Sequence, residues 1–253
     1  MKVTFLGTGT SQGVPVIACE CDTCLSDDLR DKRLRSSVLI ELRGKIFVID
    51  TGPDFRQQML RAKVRNITAI LFTHEHKDHI AGLDDIRAFN YIHKRAMEVY
   101  ADKRVEKALH REYAYVFAED KYPGIPKMNV HIIENHDFYI EDIKITPIRL
   151  MHYKLPIFGF RINDFTYLTD TNYVAPEEIK KMKGTKVLVV NALRKQKHIS
   201  HFNLEEALAL IEEVKPERAY LTHVSHLMGR QAVVEKDLPE NVYFAYDGLQ
   251  LVF

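Results

Sequence analysis

The sequence predicts an α/β fold, an αββα four-layer sandwich in which helices cover two mixed sheets, with residues 1–253 forming one domain. Short apolar runs at 130–133, 143–148, 158–162 and 165–169 recur at regular spacing, and helical patterns alternate with strand-like ones elsewhere. The wholly apolar run A-I-L-F at 69–72 reads as a strand buried on both faces, which a covered sheet provides. Hydrophobic residues make up 46% of the chain, enough for the large core that two packed sheets need.

Residues 3–6 read as the first strand. It ends in G-T-G-T-S-Q-G-V-P at 7–15, where three glycines and a proline let the backbone turn sharply or approach a ligand. A Gly-rich loop alone is a weak sign of phosphate binding. Next come Cys19, Cys21 and Cys24, spaced C-x-C-x-x-C. Three thiols this close supply three corners of a tetrahedral zinc site that needs a fourth ligand; free loop thiols or a redox pair are the alternatives. Residues 35–42 and 45–49 read as a hairpin turning at Arg43 and Gly44. Its second strand runs into Asp50, which is either an ordinary turn residue or a carboxylate orienting a metal-binding imidazole. Phe55, Met59, Leu60 and Ala62 give residues 55–64 helical spacing.

The strand at 69–72 ends where four potential ligands begin: His74, His76, Asp78 and His79. Only 12 of the 253 residues are histidine, so three within six positions are far from chance. A tight turn here aims His74 and His76 at one ion, and Asp78 and His79 at a second. Two ions about 3.5–4 Å apart share a bridging water or hydroxide, an arrangement suited to hydrolysis of phosphate and acyl compounds. Residues 81–93 then read as a helix with Asp84 and Asp85 as caps; Arg87, Tyr91 and His93 are candidates to border a pocket. Residues 103–117 read as another helix followed by a mobile region, and Y-P-G-I-P at 122–126 as a loop able to overhang a site. His152 follows the strand at 143–148, and Asp170 follows that at 165–169. A strand at 187–191 leads to Asn203 and Glu206, a capping box opening a helix with Leu204, Ala207, Leu208 and Ile211 on its apolar face. His201 stands just before that helix. The strand at 218–222 ends at His223, and His226, three residues further, is placed to serve a different site.

H-x-H-x-D-H at 74–79 is the signature of the metallo-β-lactamase superfamily, and the chain resembles that family from end to end. The resemblance implies the αββα fold and a dinuclear site. His74, His76 and His152 would hold one ion, Asp78, His79 and His223 the other, and Asp170 would bridge both. The opening G-T-G-T-S-x-G-x-P resembles that of one branch of the superfamily, and the cysteine loop with T-H-x-S-H at 222–226 resembles, more narrowly, the cyclic-phosphate phosphodiesterases of bacterial phosphonate degradation. That likeness implies two catalytic divalent metals, zinc or manganese, and a structural zinc on Cys19, Cys21, Cys24 and His226. It also implies a homodimer. His201 becomes the proton donor to the departing oxygen, with His198 the alternative, and Asp78 a ligand that also orients the nucleophile. L-M-G-R at 227–230 departs from the acidic and polar continuation of that family, which bears on the substrate.

Lys and Arg total 36 against 35 Asp and Glu, so the whole chain has no electrostatic footprint for nucleic acid, while a local basic pocket stays compatible with it. No run approaches the roughly 18 apolar residues of a membrane span, and the N-terminus does not read as a signal peptide. Clustered cysteines favour metal binding inside the cell over a disulfide framework. The expectation is a cytoplasmic, metal-dependent phosphodiesterase hydrolysing a small phosphodiester such as a cyclic ribose phosphate, with neither nucleic acid nor membrane as partner. Its rivals are a lactonase or thioesterase on the same fold, a nuclease resembling the tRNA 3′-processing enzymes, and a non-catalytic zinc-binding module.

Overall fold

A computed structural model describes residues 1–120 and 122–253, which form two compact units. The first comprises Met1–Gly7, Arg35–Glu134 and Gly248–Phe253. Its strands are β1 (Lys2–Gly7), β2 (Ser37–Leu42), β3 (Lys45–Ile49), β4 (Ala69–Leu71), β5 (Met97–Ala101) and β6 (Met128–Ile132), with Gln250–Val252 pairing outside β1. Pairing is antiparallel up to β3 and parallel from β3 to β6. Parallel neighbours require crossovers, and α1 (Phe55–Arg61) supplies the one between β3 and β4. The next crossover carries α2 (Lys77–Ile80), a 3-10 turn (Leu83–Ile86) and α3 (Arg87–His93). The last carries α4 (Lys103–Glu112) and α5 (Ala114–Phe117). Val48, Phe55, Ile70, Phe72, Leu83 and Leu109 belong to one buried cluster, and every residue of β4 is buried, as its apolar run requires.

Two helices differ from expectation for traceable reasons. The helix expected over 81–93 begins only at Leu83, as a 3-10 turn that runs on into α3, because Gly82 ahead of it packs on Gly52, where an added Cβ would meet the Gly52 carbonyl oxygen at 2.1 Å. Gly52 in turn lies against Asp78, whose carbonyl oxygen a Cβ would meet at 2.1 Å. Close backbone contact between the ligand-bearing turn and the end of β3 therefore prevails over an earlier helix start. The helix expected over 103–117 breaks at Tyr113, whose buried hydroxyl donates to the Ile80 carbonyl at 2.6 Å.

The second unit comprises Thr8–Leu34 and Asn135–Asp247. It contains β7 (Phe138–Ile140), β8 (Ile143–His152), β9 (Leu155–Ile162), β10 (Phe165–Tyr167), β11 (Tyr173–Val174), β12 (Val187–Asn191), β13 (Arg218–Thr222) and β14 (Val242–Phe244). Their order is β11-β8-β9-β10-β12-β13-β14, with β7 beside β8. The last four strands in that order are mutually parallel, and α6 (Pro176–Met182) and α7 (Leu204–Val214) make two of the crossovers. A short α8 (Gln231–Val234) precedes β14. Leu150, Leu168, Leu188, Val190, Leu210 and Phe244 share the core of this unit. The capping box opening α7 has both hydrogen bonds, Glu206 N to Asn203 Oδ1 and Asn203 N to Glu206 Oε2. β9 starts earlier than expected, ahead of Pro156. Pro156 pairs with Met151 of β8, whereas β10 reaches only residues 160–162, so the proline sits where β9 has a single neighbour. Among the described residues no helix is long and apolar enough to cross a membrane.

Candidate metal centres

Asp50, Asp170 and His223 each follow a strand and each hold a left-handed backbone, with φ of 64°, 57° and 54°. Side chains other than glycine rarely adopt this conformation, and it persists where the surroundings hold it in place. At all three positions the chain leaves its strand sharply, and all three side chains belong to clusters of imidazole and carboxylate.

In the first unit, β3 ends at Asp50 and β4 runs on into the ligand turn. Thr73 donates to Asp50 through its backbone N–H at 2.9 Å and its hydroxyl at 2.8 Å. Asp50 Oδ2 also lies 2.7 Å from His79 Nδ1, both side chains being fully buried. Burial pushes the Asp50 carboxyl up, against the pull of the His79 ring and of the two Thr73 bonds. The turn is tied down further by Thr51 N, which donates to the His79 carbonyl at 2.7 Å. His79 Nε2 lies 3.1 Å from Asp78 Oδ2, and His74 Nε2 lies 3.1 Å from His76 Nδ1. Asp50 is thus held against the His79 imidazole, the placement that an orienting carboxylate needs. Asp50→Asn is expected to weaken metal binding by about 10–100-fold, the usual effect of losing such a partner, in a chelator-competition titration. Parental affinity in that variant would remove Asp50 from the role.

In the second unit, His152 closes β8 and its Nδ1 lies 2.8 Å from the Ser200 carbonyl oxygen. Asp170 Oδ1 lies 3.2 Å from His201 Nε2 and 3.2 Å from His223 Nε2. Its Oδ2 accepts from the Thr169 hydroxyl at 2.5 Å. The His201 ring stacks on that of His223, 5.0 Å between centroids and 13° from parallel. On its other side, His201 Nδ1 is 3.0 Å from Ser200 Oγ and 3.1 Å from His198 Nδ1. Burial, then the neighbouring His201, Arg194 and His152, lower the pKa of His198.

Cys19, Cys21, Cys24 and His226 also meet within this unit. Both Cys19 Sγ and Cys21 Sγ lie 3.3 Å from His226 Nδ1, and all three cysteines are free thiols. The Cys24 backbone and the His226 ring hold the Cys21 thiol down at about 6, whereas burial pushes Cys24 up to about 11.

The donor chemistry fits divalent metals. Nδ1 of His74, His79 and His152 each faces an oxygen, from Thr73, Asp50 and Ser200 respectively, which leaves Nε2 for the ligand role. The 3.1 Å between the His74 and His76 nitrogens matches two ligands of one tetrahedral ion, roughly 3.3 Å apart for metal–nitrogen bonds of about 2.0–2.1 Å. Three sulfurs and one imidazole make a closed set suited to structural zinc.

The remaining candidates lie elsewhere or act differently. Residues 8–10 do not form a phosphate cradle: Thr10 N donates to the Val224 carbonyl and Val224 N to the Thr8 carbonyl, so this stretch braces the residue after His223. Buried Arg33 steadies it through the Thr8 hydroxyl, the Ala245 carbonyl and Gln231. Arg87 pairs with Asp84, and His93 Nε2 lies 2.7 Å from the Arg65 carbonyl. Sequence reasoning missed Thr73, Thr169 and Ser200. Each adjoins a proposed functional residue, and a hydroxyl residue beside a ligand is the signal that could have found them.

A family model for the beta-lactamase superfamily domain matches residues 45–224. The chain is 38% identical over 255 residues to a Porphyromonas gingivalis protein named octanoyltransferase, covering 100% of this chain and 51% of that one. It is 27% identical over 172 residues to a ribonuclease Z of an Exiguobacterium species, covering 64% of this chain and 49% of that one. The chain therefore spans about half the length of these curated relatives. A crystal structure described as a new diphosphatase from the PhnP family matches with a TM-score of 0.93 at 35% identity, covering 100% of this chain and 97% of that one. With the ligand turn, the strand-end carboxylates and these matches, the chain belongs to the metallo-β-lactamase superfamily of metal-dependent hydrolases and has that superfamily's fold.

Proposed function

We propose that the protein is a cytoplasmic phosphodiesterase acting on a small phosphodiester, with residues 1–253 serving as one hydrolase domain. The observation that carries this reading is Asp170 Oδ1, 3.2 Å from both His223 and His201 Nε2. One carboxylate thereby adjoins a ligand imidazole and an imidazole able to carry a proton. The relatives described as a diphosphatase and as ribonuclease Z support phosphate esters as the substrate class.

In this reading His74, His76 and His152 would hold one ion, Asp78, His79 and His223 would hold a second, and Asp170 would serve both. Two divalent ions, zinc or manganese, would lower the pKa of water towards neutrality and offset the charge on phosphoryl oxygens. Asp78 orients the attacking water for in-line approach. His201 carries a proton on Nε2, held beside Asp170, and delivers it to the departing alkoxide. Stacking on His223 and contact with Ser200 fix the plane of its ring.

Cys19, Cys21, Cys24 and His226 would hold a third ion, zinc, in a structural role. Cys21→Ser is expected to remove one metal per chain and lower the melting temperature, with kcat of the folded variant within a few-fold of the parent. A loss of turnover at full metal content would make that cluster part of the reaction centre instead.

An acyl substrate has one observation in its favour, the octanoyltransferase name of the P. gingivalis relative, of which this chain matches half. The deciding experiment offers metal-reconstituted protein bis(p-nitrophenyl) phosphate, p-nitrophenyl octanoate and a simple lactone, with bound metals counted. Phosphodiester turnover at about three metals per chain is expected. Turnover of the octanoate or lactone alone would replace the phosphodiesterase reading by the acyl one.

A further inference from the structure

α3 is seven residues long and none of them is fully buried, with Phe89 its one apolar residue packed against the core cluster of the unit. It leaves Tyr91 76% and Ile92 67% exposed, which is unusual for a helix of a folded unit, since packing of an apolar face supplies most helix stability. Beside it runs a groove of ≈ 650 Å³ lined by Arg87, Tyr91, Lys94, Arg95 and Lys127, among others. A second groove of ≈ 600 Å³, lined by Phe117, Tyr122, Pro123 and Pro126, shares Ala96, Gly124, Ile125 and Lys127 with the first. The two are limbs of one channel, four cations along one and aromatic and apolar surface along the other. Tyr122, in the second limb, is 81% exposed.

No carboxylate lines either limb among the described residues. Arg87 meets Asp84 only at 3.7 Å and in the open, where solvent and salt screen the pair. Lys94 has its Nζ 4.1 Å from the Tyr91 ring centroid. Arg95 donates to Asn66 Oδ1 at 2.9 Å and the Ile67 carbonyl at 2.7 Å, contacts that fix its guanidinium without neutralising it. In a chain of net charge +1, four cations along one groove, of which only Arg87 faces a carboxylate and that at 3.7 Å, are a local concentration.

From this arrangement we infer that the channel binds a segment of single-stranded nucleic acid. Such strands need a basic track for regularly repeating phosphates and exposed aromatic faces on which unpaired bases stack. Duplex bases are already stacked and make no use of exposed tyrosines. A second copy of this chain docking by two-fold symmetry would set four cations against four, which like-charge repulsion opposes. The channel is also separate from the ligand turn of its own unit. β4, β5 and β6 are parallel; Arg95 and Ala96 precede β5 and Lys127 precedes β6, whereas the turn follows β4. The binding therefore goes beyond the hydrolase reading and does not depend on it.

Fluorescence anisotropy of labelled 12-mer oligouridine and oligodeoxythymidine at 50 and 200 mM KCl tests this. With four cations engaged, affinity should fall about 50-fold between the two salt concentrations. Lys94→Glu combined with Lys127→Glu should weaken binding at least about 10-fold and flatten the salt dependence. Tyr91→Ala combined with Tyr122→Ala should weaken it by about 10-fold or more while keeping the salt dependence. Melting temperatures equal to the parent's show that the variants are folded. Were either pair to misfold, Lys94→Gln and Tyr122→Ala singly replace it, with smaller shifts of the same kind. The inference is overturned if the parent shows no binding at about 100 μM protein in 50 mM KCl, a concentration that detects even non-specific affinities. Tighter binding of a duplex also overturns it. So does displacement by a 12-residue oligoglutamate at equal concentration with the tyrosine variants unaffected, which would make the channel an acidic-peptide site.

Discussion

Asp170→Asn is expected to cut phosphodiester turnover by about 10⁴-fold or more, the scale seen when one member of an interdependent catalytic set is removed. The substitution keeps the shape of the side chain and removes its charge. Oδ1 sits 3.2 Å from two imidazoles and Oδ2 accepts from Thr169, so the carboxylate has no spare oxygen with which to lose an interaction cheaply. Two ions sharing one carboxylate would both be affected, and metal content should fall from about three per chain towards one, the zinc of the cysteine cluster remaining. The variant should still fold, because the left-handed backbone at position 170 suits asparagine as well as aspartate. Turnover within tenfold of the parent would show that Asp170 bridges nothing.

The second large effect depends on the substrate. His201→Ala is expected to slow esters with poorly departing alkoxides by about 10²–10⁴-fold, the contribution of a general acid. Nitrophenyl esters, whose leaving group needs no proton, should lose far less. His201 lies within the ring cluster, edge-on to His152 at 4.7 Å between centroids and stacked on His223, so its loss leaves a cavity beside two proposed ligands. Metal content must therefore be measured alongside. Unchanged metal content with equal losses on both ester types would take the acid role away from His201. Transfer of the role to His198 would appear as a second, additive loss in His198→Ala.

Local chemistry was the legible part of the sequence. The ligand turn announces itself by density, the capping box of α7 by two residues three apart, and the buried strand β4 by an unbroken apolar run. β5 was within reach too, since M-E-V-Y-A alternates and its burial alternates with it. What depends on distant residues was not legible. The late start of the helical run leading into α3 comes from backbone contact between Gly52 and Gly82, thirty positions apart, and the break before α5 from the hydroxyl of Tyr113 reaching Ile80. Left-handed backbones at Asp170 and His223 were not legible either: Asp and His tolerate them better than most side chains, but most Asp and His residues do not adopt them, and only the finished surroundings impose them. Asp50 stood between two readings, of which its bonds to Thr73 and His79 favour the orienting one.

The cysteine cluster has a consequence for how the protein is made. His226 follows Cys19 by 207 residues and Cys21 by 205. At about 5–20 residues per second, a ribosome exposes the three thiols roughly 10–40 s before it supplies the imidazole. During that interval the thiols have only each other, and a zinc ion captured early would be held by three ligands and readily exchanged. Adding the last ligand closes a chain loop of some two hundred residues at once, the kind of long-range link that takes most conformational freedom from an unfolded chain. With zinc on this cluster, as proposed, zinc supply during synthesis would bear on the yield of folded molecules. Cells starved of zinc should then give a smaller folded share of the chains they make, read by comparing soluble with total protein.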